Sequence, residues 1–173
     1  MYNIGIIGDV SNHEHKGQFL LEKILSSSSF ENNNKYNFIV FGNDNPSFNY
    51  SNLYCTGHYN NDNILSLINE KDIDYFLFLS TYEETYSFTL SIASKFGVPI
   101  IYNNIGSYPE RLSKYKNCFS FTEDNYMVIH NILENIENDF INNNNNVKPL
   151  VNNNMILYKN IPELSEYLRH DMN

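Results

Sequence analysis

Only two cysteines occur in the chain, Cys55 and Cys118, far apart and with no metal-ligand spacing around them. A cysteine-based metal cluster is thereby excluded, and buried free thiols in a reducing compartment become the reading. No apolar run approaches the roughly 20 residues of a membrane-spanning helix. The opening Asn3-Ile4-Gly5-Ile6-Ile7 is too short and too early for a signal peptide. A soluble, cytoplasmic chain is expected. Positive charge is also scarce: 11 Lys and Arg stand against 20 Asp and Glu, a formal net charge of -9. Such a surface repels phosphate backbones, which argues against general nucleic-acid binding but leaves room for a local basic pocket around a small phosphate ligand. Tryptophan is absent, so the aromatic content is all Tyr and Phe. No Gly-x-Gly-x-x-Gly occurs, which argues against a dinucleotide oxidoreductase.

What is present is globular, with 42% hydrophobic and 18% charged residues. A chain of 173 residues is enough for one α/β domain with a real core and thin for two. Asparagine is over-used, with runs at Asn142 to Asn146 and Asn152 to Asn154. This bias carries little chemistry.

Apolar runs alternate with helical patterns, the signature of a parallel sheet covered by helices. Strands are predicted at Ile4 to Ile7, Asn37 to Phe41, Leu53 to Thr56, Asp74 to Ser80, Val98 to Tyr102 and Cys118 to Phe121. The run Asp74 to Ser80 is continuously apolar in its centre, as a strand buried on both faces should be. Helices are predicted around Phe19, Leu20, Lys23, Ile24 and Leu25, and after an Asn61 or Asp62 cap with Ile64, Leu65 and Ile68 inward. Others are predicted from Ser87 to Phe96, ended by Gly97, in a short turn of helix within Gly106 to Ser113, and from Asn125 to Phe140. The last carries Met127, Ile129, Ile132, Leu133 and Ile136 on its apolar side. A further strand, Met155 to Tyr158, and a helix from Pro162 follow the asparagine runs. The expected organisation is a domain over residues 1–141, a linker over 142–154 and an appendage over 155–173. The fold class is a single Rossmann-like α/β domain: a mainly parallel sheet of six or seven strands with helices on both faces.

Two segments carry chemistry. The first, Gly8 to Gly17, follows the first strand, and loops at that edge of a doubly wound sheet bind ligands. Lys16 stands where a helix begins and can reach a phosphate, with Gly17 allowing close backbone approach; a solvated lysine beside a turn glycine is the alternative. His13-Glu14-His15 offers too few ligands for a metal and reads as exposed loop histidines, so no metal site is expected. The second segment, Thr81 to Ala93, follows the most buried strand. Hydroxyls at Thr85, Ser87 and Thr89 crowd a helix start, and Glu84 can accept from sugar hydroxyls. An anion site and an ordinary N-cap with an acidic first turn both fit.

The motifs Glu84-Thr85-Tyr86-Ser87-Phe88-Thr89-Leu90-Ser91, Phe96-Gly97-Val98-Pro99-Ile100-Ile101 and Ile105-Gly106-Ser107-Tyr108-Pro109-Glu110-Arg111-Leu112 resemble the donor-binding C-terminal domain of GT-B family-4 retaining glycosyltransferases. The opening strand with Lys16-Gly17, the strand ending at Gly42, and Thr56-Gly57-His58-Tyr59 are similar too, so the resemblance covers most of residues 1 to 123. It implies half of a GT-B fold and hexosyl transfer with retention from a nucleotide diphosphate sugar, with no cofactor or metal. It implies that Gly8, Lys16, Gly17, Ser87, Phe88 and Thr89 hold the donor phosphates, and that Glu84, Thr85 and Tyr86 meet the sugar. Glu84 is the candidate catalytic residue, and His58 and Tyr59 lie near the base.

Three departures qualify this. The second glutamate of the family's E-x7-E motif, which holds the ribose, is Ile92, and two unpaired ribose hydroxyls cost about 1–3 kcal/mol each. An arginine common before the lysine is Asp9, which repels a diphosphate. The acceptor-binding half is expected on a separate N-terminal domain or partner chain. Two functions are therefore carried forward: a nucleotide-sugar-binding glycosyltransferase subunit or fragment, inactive in isolation, and a degenerate non-catalytic domain acting in protein interaction.

Overall fold

A computed structural model describes residues 1–10, 14–31, 33–42, 49–60 and 62–142. The expected strand at 155–158, the helix from 162, the linker beyond 142, the Asn61 cap and His13 all lie outside the described residues. Six strands are described: β1 Tyr2–Ile7, β2 Tyr36–Phe41, β3 Leu53–Cys55, β4 Tyr75–Phe78, β5 Ile100–Asn103 and β6 Cys118–Phe121. Five helices accompany them: α1 Gln18–Leu25, α2 Ile64–Glu70, α3 Phe88–Ala93, α4 Tyr108–Leu112 and α5 Val128–Asn142.

The strands form one sheet in the order β3-β2-β1-β4-β5-β6. Every pairing is parallel, with Ile4 opposite Phe38 and Tyr75, and Phe76 opposite Ile100. Alternate side chains of each strand point to opposite faces, and both faces are filled. Tyr75 and Leu77 of β4 join a core with Leu21, Ile24, Ile129 and Leu133 of α1 and α5. Phe76 and Phe78 join a second core with Ile64, Ile68, Leu90, Ala93 and Leu112 of α2, α3 and α4. Helices on both faces leave β4 with no exposed residue, which is why its sequence is an unbroken apolar run.

Three expected core residues are exposed, among them Leu65 of α2, which lies off the buried Ile64 and Ile68 face. Phe19 precedes the buried stripe Leu20, Leu21, Ile24 and Leu25 of α1, and Met127 precedes the first residue of α5; they are 50% and 43% exposed. The cap of α2 also differs. Asn63 occupies the N-cap position without a side-chain cap. Its Oδ1 instead accepts from the amide of Asn60, whose own Oδ1 accepts from the amides of Asp62 and Asn63. The turn before the helix is thus closed by Asn60.

Chain order reverses between β1 and β4: the strands following β1 in sequence run one way across the sheet, and those following β4 the other. The loops leaving these two neighbours diverge to opposite faces and open a crevice at their C-terminal ends, the place where doubly wound folds bind ligands.

Candidate functional site

The crevice is a cleft of about 460 Å³ lined by the ends of β1 and β4, by Lys16, by residues 83–89 and by Tyr108. Its shape starts from two glycines. Gly8 ends β1 with φ +125 and donates its amide to Phe41 at 2.8 Å. The chain returns through a short 3-10 turn, Glu14–Lys16, to Gly17, which caps α1 at φ +87. Gly17 lies so close to the backbone of Leu79, just beyond β4, that a Cβ there would overlap the Leu79 carbonyl. This approach lets the two loops join. The Thr81 amide donates to the His15 carbonyl at 3.0 Å, and the Ser80 hydroxyl reaches the same oxygen at 3.2 Å.

Docking the loops brings together two side chains 68 residues apart in sequence. Lys16 Nζ lies 2.6 Å from Glu84 Oε1. The lysine side chain is half exposed and the glutamate only 22% exposed, so the ammonium is the partner free to swing. Tyr108 Oη, from the start of α4, donates to Glu84 Oε2 at 3.5 Å. The backbone of Glu84 is also held, its carbonyl accepting from the Ser107 amide at 3.0 Å. Gly106 makes that contact possible, since a Cβ on it would lie 2.7 Å from the Glu84 nitrogen. Beneath these groups the buried Asn103 donates Nδ2 to the Ser80 carbonyl at 2.8 Å.

The hydroxyls expected at the start of α3 are largely committed to one another. Ser87 Oγ accepts from the Leu90 amide at 3.4 Å and lies 3.1 Å from Thr89 Oγ1. Arg111 of α4 clamps the same turn: Nη1 donates to the Ser87 carbonyl at 2.6 Å and Nη2 to Ser91 Oγ at 2.7 Å. Its guanidinium stacks 4.2 Å from the centre of the Tyr86 ring. With six residues, α3 is shorter than the expected Ser87 to Phe96, because its last turn tightens into a 3-10 turn at Ser94–Phe96. Ser94 Oγ donates back to the Leu90 carbonyl at 2.8 Å there, and Gly97 then leaves the helix at φ +69.

Of the residues singled out from sequence, Gly8, Lys16 and Glu84 line the cleft. Thr85, Tyr86, Ser87, Phe88 and Thr89 line it as well. Gly17 is buried behind it as the point of loop docking. His58 and Tyr59 lie beyond β3 and are not part of its wall; the Tyr59 ring packs over Gly42, where a Cβ would come within 2.9 Å. Burial raises the Tyr59 phenol above its ordinary value. Ile92 is half-buried against the second core, the same cluster that Tyr59 joins. Asp9 is exposed and shares the cleft wall with Glu83. Among the described residues the wall therefore sets the ammonium of Lys16 against three carboxylates, Asp9, Glu83 and Glu84. Tyr108, Arg111 and Asn103 carry no sequence signal of their own: the first two fall inside a motif without a marked role, and Asn103 looks like any strand-end polar residue. Among the described residues no group of three or more His, Cys, Asp or Glu is arranged to hold a metal.

No protein-family model and no curated protein matches the sequence. Solved structures match the fold. Sucrose-phosphate synthase from Thermosynechococcus elongatus aligns with a TM-score of 0.67 at 11% identity, over 98% of this chain and 45% of that one. Anabaena Alr3699/HepE in complex with UDP and glucose aligns at 0.61 and 16% identity, over 97% of this chain and 48% of that one. The C-terminal domain of a glycosyl transferase group 1 family protein (LpcC) from Francisella tularensis aligns at 0.61 and 16% identity, over 91% and 84%. The chain thus spans about half the length of the first two enzymes and most of the isolated C-terminal domain. In fold, this chain is a structural match to the C-terminal half of GT-B group 1 glycosyltransferases.

Proposed function

We propose that the cleft binds a nucleotide diphosphate sugar, and that the chain is the donor-binding half of a retaining hexosyltransferase whose acceptor-binding half comes from another domain or a partner chain. The observation that carries this reading is the Lys16–Glu84 pair across the switch point of the sheet. In this reading the Lys16 ammonium leaves Glu84 for the donor diphosphate and offsets the charge that develops on it as the glycosidic bond breaks. Glu84 then faces the sugar, its carboxylate accepting from hydroxyls. Transfer itself needs the acceptor held in attack geometry, which positioning by a second half would supply. Alr3699/HepE has been solved with UDP-glucose as well as with UDP and glucose, and these are the natural first probes. Two free thiols at Cys55 and Cys118 suit the proposed cytoplasmic setting.

A second reading, a domain that has lost donor binding and acts in protein interaction, is favoured by two observations. Among the described residues the cleft wall has more negative than positive charge, and Ile92 packs half-buried against the second core where a ribose-binding carboxylate is expected. Calorimetry separates the two. The first reading expects heat with nucleoside diphosphates or their sugars, and Lys16→Ala should weaken binding by about 1.5–3 kcal/mol, the range of a hydrogen bond to a charged group. Silence across a panel of bases and sugars, or an indifferent Lys16→Ala, leaves the second reading standing.

A further inference from the structure

We infer that Tyr108 is a positioning residue that holds Glu84 against the ligand once Lys16 has turned to the phosphate; this rests on the donor-site reading above. Without a ligand the Glu84 carboxylate is divided between two partners, Lys16 on Oε1 and Tyr108 on Oε2. A diphosphate competes for the ammonium, and the half-exposed lysine is the member of the pair able to move. Glu84 would then be a largely covered carboxylate that has lost its counter-charge. Left alone, it would swing toward water or be repelled by the incoming phosphates.

The surrounding geometry prevents that swing from one side only. The Ser107 amide and the Gly106 contact fix the Glu84 backbone, but they do not touch its carboxylate. The group that does is the Tyr108 hydroxyl. The residue is 3% exposed, with its ring tilted against Phe78 and edge-on to Tyr102, so the hydroxyl cannot follow a moving partner and acts as a fixed post. Burial, aided by the Glu84 charge, pushes the phenol up to about 12, so it stays a donor throughout the neutral range. A carboxylate pinned at Oε2 keeps Oε1, the atom Lys16 vacates, directed into the cleft for a sugar hydroxyl.

This assigns Tyr108 an effect on the sugar rather than on the phosphates. UDP and UDP-glucose titrated into the intact chain read the two separately, through the ratio of their affinities. Tyr108→Phe keeps the packed ring and deletes only the post; the gain in affinity contributed by glucose should fall about five- to tenfold relative to UDP. In a Glu84→Ala background, which removes the acceptor, the same substitution should move the ratio no further, because Tyr108 acts through that carboxylate. A purely structural tyrosine would instead lower both affinities together. The inference is overturned if the ratio is unmoved by Tyr108→Phe, or if the loss is as large in the Glu84→Ala background. If the parent chain binds neither probe, the donor-site reading falls and takes this inference with it.

Discussion

Gly17 carries a constraint that no other residue type meets. Its backbone is left-handed, and its α-carbon is pressed on the Leu79 carbonyl. Alanine there would pay about 1–2 kcal/mol for the left-handed conformation and about 1–3 kcal/mol more for forcing a methyl into packed backbone. Gly17→Ala should lower stability by about 2–5 kcal/mol in urea titration, and a change under about 1 kcal/mol would contradict this loop docking. The placing of Lys16 and Glu84 at the cleft was legible in the sequence because it depends on where a strand ends and a loop begins. Tyr108 was not. Its role comes from a ring buried by α4 packing and from the direction of one hydroxyl, neither of which leaves a periodic trace. Ile92 shows the converse. Its place in the motif pointed to a lost ribose contact, while its packing sets it half-buried against the second core.

At the scale of the element, α5 shows how far hydrophobic spacing reaches. Ile129, Leu133 and Ile136 recur at helical intervals and are buried against the first core. Met127, one position before the helix begins, reads as part of the same stripe but is exposed, since an apolar residue at a helix end is covered only if a neighbour reaches it. Strand type was easier to read: β4 falls within its predicted run because a strand covered on both faces has little polar interruption, while β6, at the sheet edge with Ser120 exposed, was marked by its alternating Phe119 and Phe121. The length of α3 was harder, because Ser94 tightens its last turn through a bond to Leu90. Leu133 is fully buried on the face remote from α2, α3 and α4. Leu133→Ala should cost about 2–5 kcal/mol through lost transfer energy and a residual cavity. Denaturant unfolding would check it: the midpoint falls with an unaltered slope if the fold remains two-state, and an unmoved midpoint would mean α5 is not part of the cooperative unit.

Across the whole molecule, the parallel sheet and the two-sided core were readable from alternating strands and helices, whereas the use of the cleft was not, because one fold hosts many functions. The same architecture buries several tyrosines, and this gives the protein a pH limit of its own. Tyr36 and Tyr75 open β2 and β4 at the end of the sheet opposite the cleft, both fully buried. Tyr36 donates to the buried Glu137 of α5 at 2.8 Å, and Lys35 closes the group on the other carboxylate oxygen at 2.6 Å. Tyr75 Oη, in contrast, has no hydrogen-bond partner among the described residues. Burial raises both phenols well above their ordinary value near 10, with the Glu137 charge adding to the effect, and raises Tyr108 to about 12. Above pH 10 the unfolded chain releases these protons while the folded chain keeps them. The unfolded state then binds fewer protons than the native state, so stability falls as pH rises. Below pH 10 both states hold the protons and the contribution is complete. Each such tyrosine removes up to about 1.4 kcal/mol per pH unit, so three give a slope near 4 kcal/mol per unit from about pH 10 toward 12. Tyr75→Phe should reduce that slope by about a third. It should also raise stability at pH 7 by about 1 kcal/mol or leave it level, because it removes a buried hydroxyl that nothing satisfies. Urea midpoints measured from pH 7 to 12 test both, and a flat profile above pH 10 would show that these phenols ionise in the folded chain as readily as in the unfolded one.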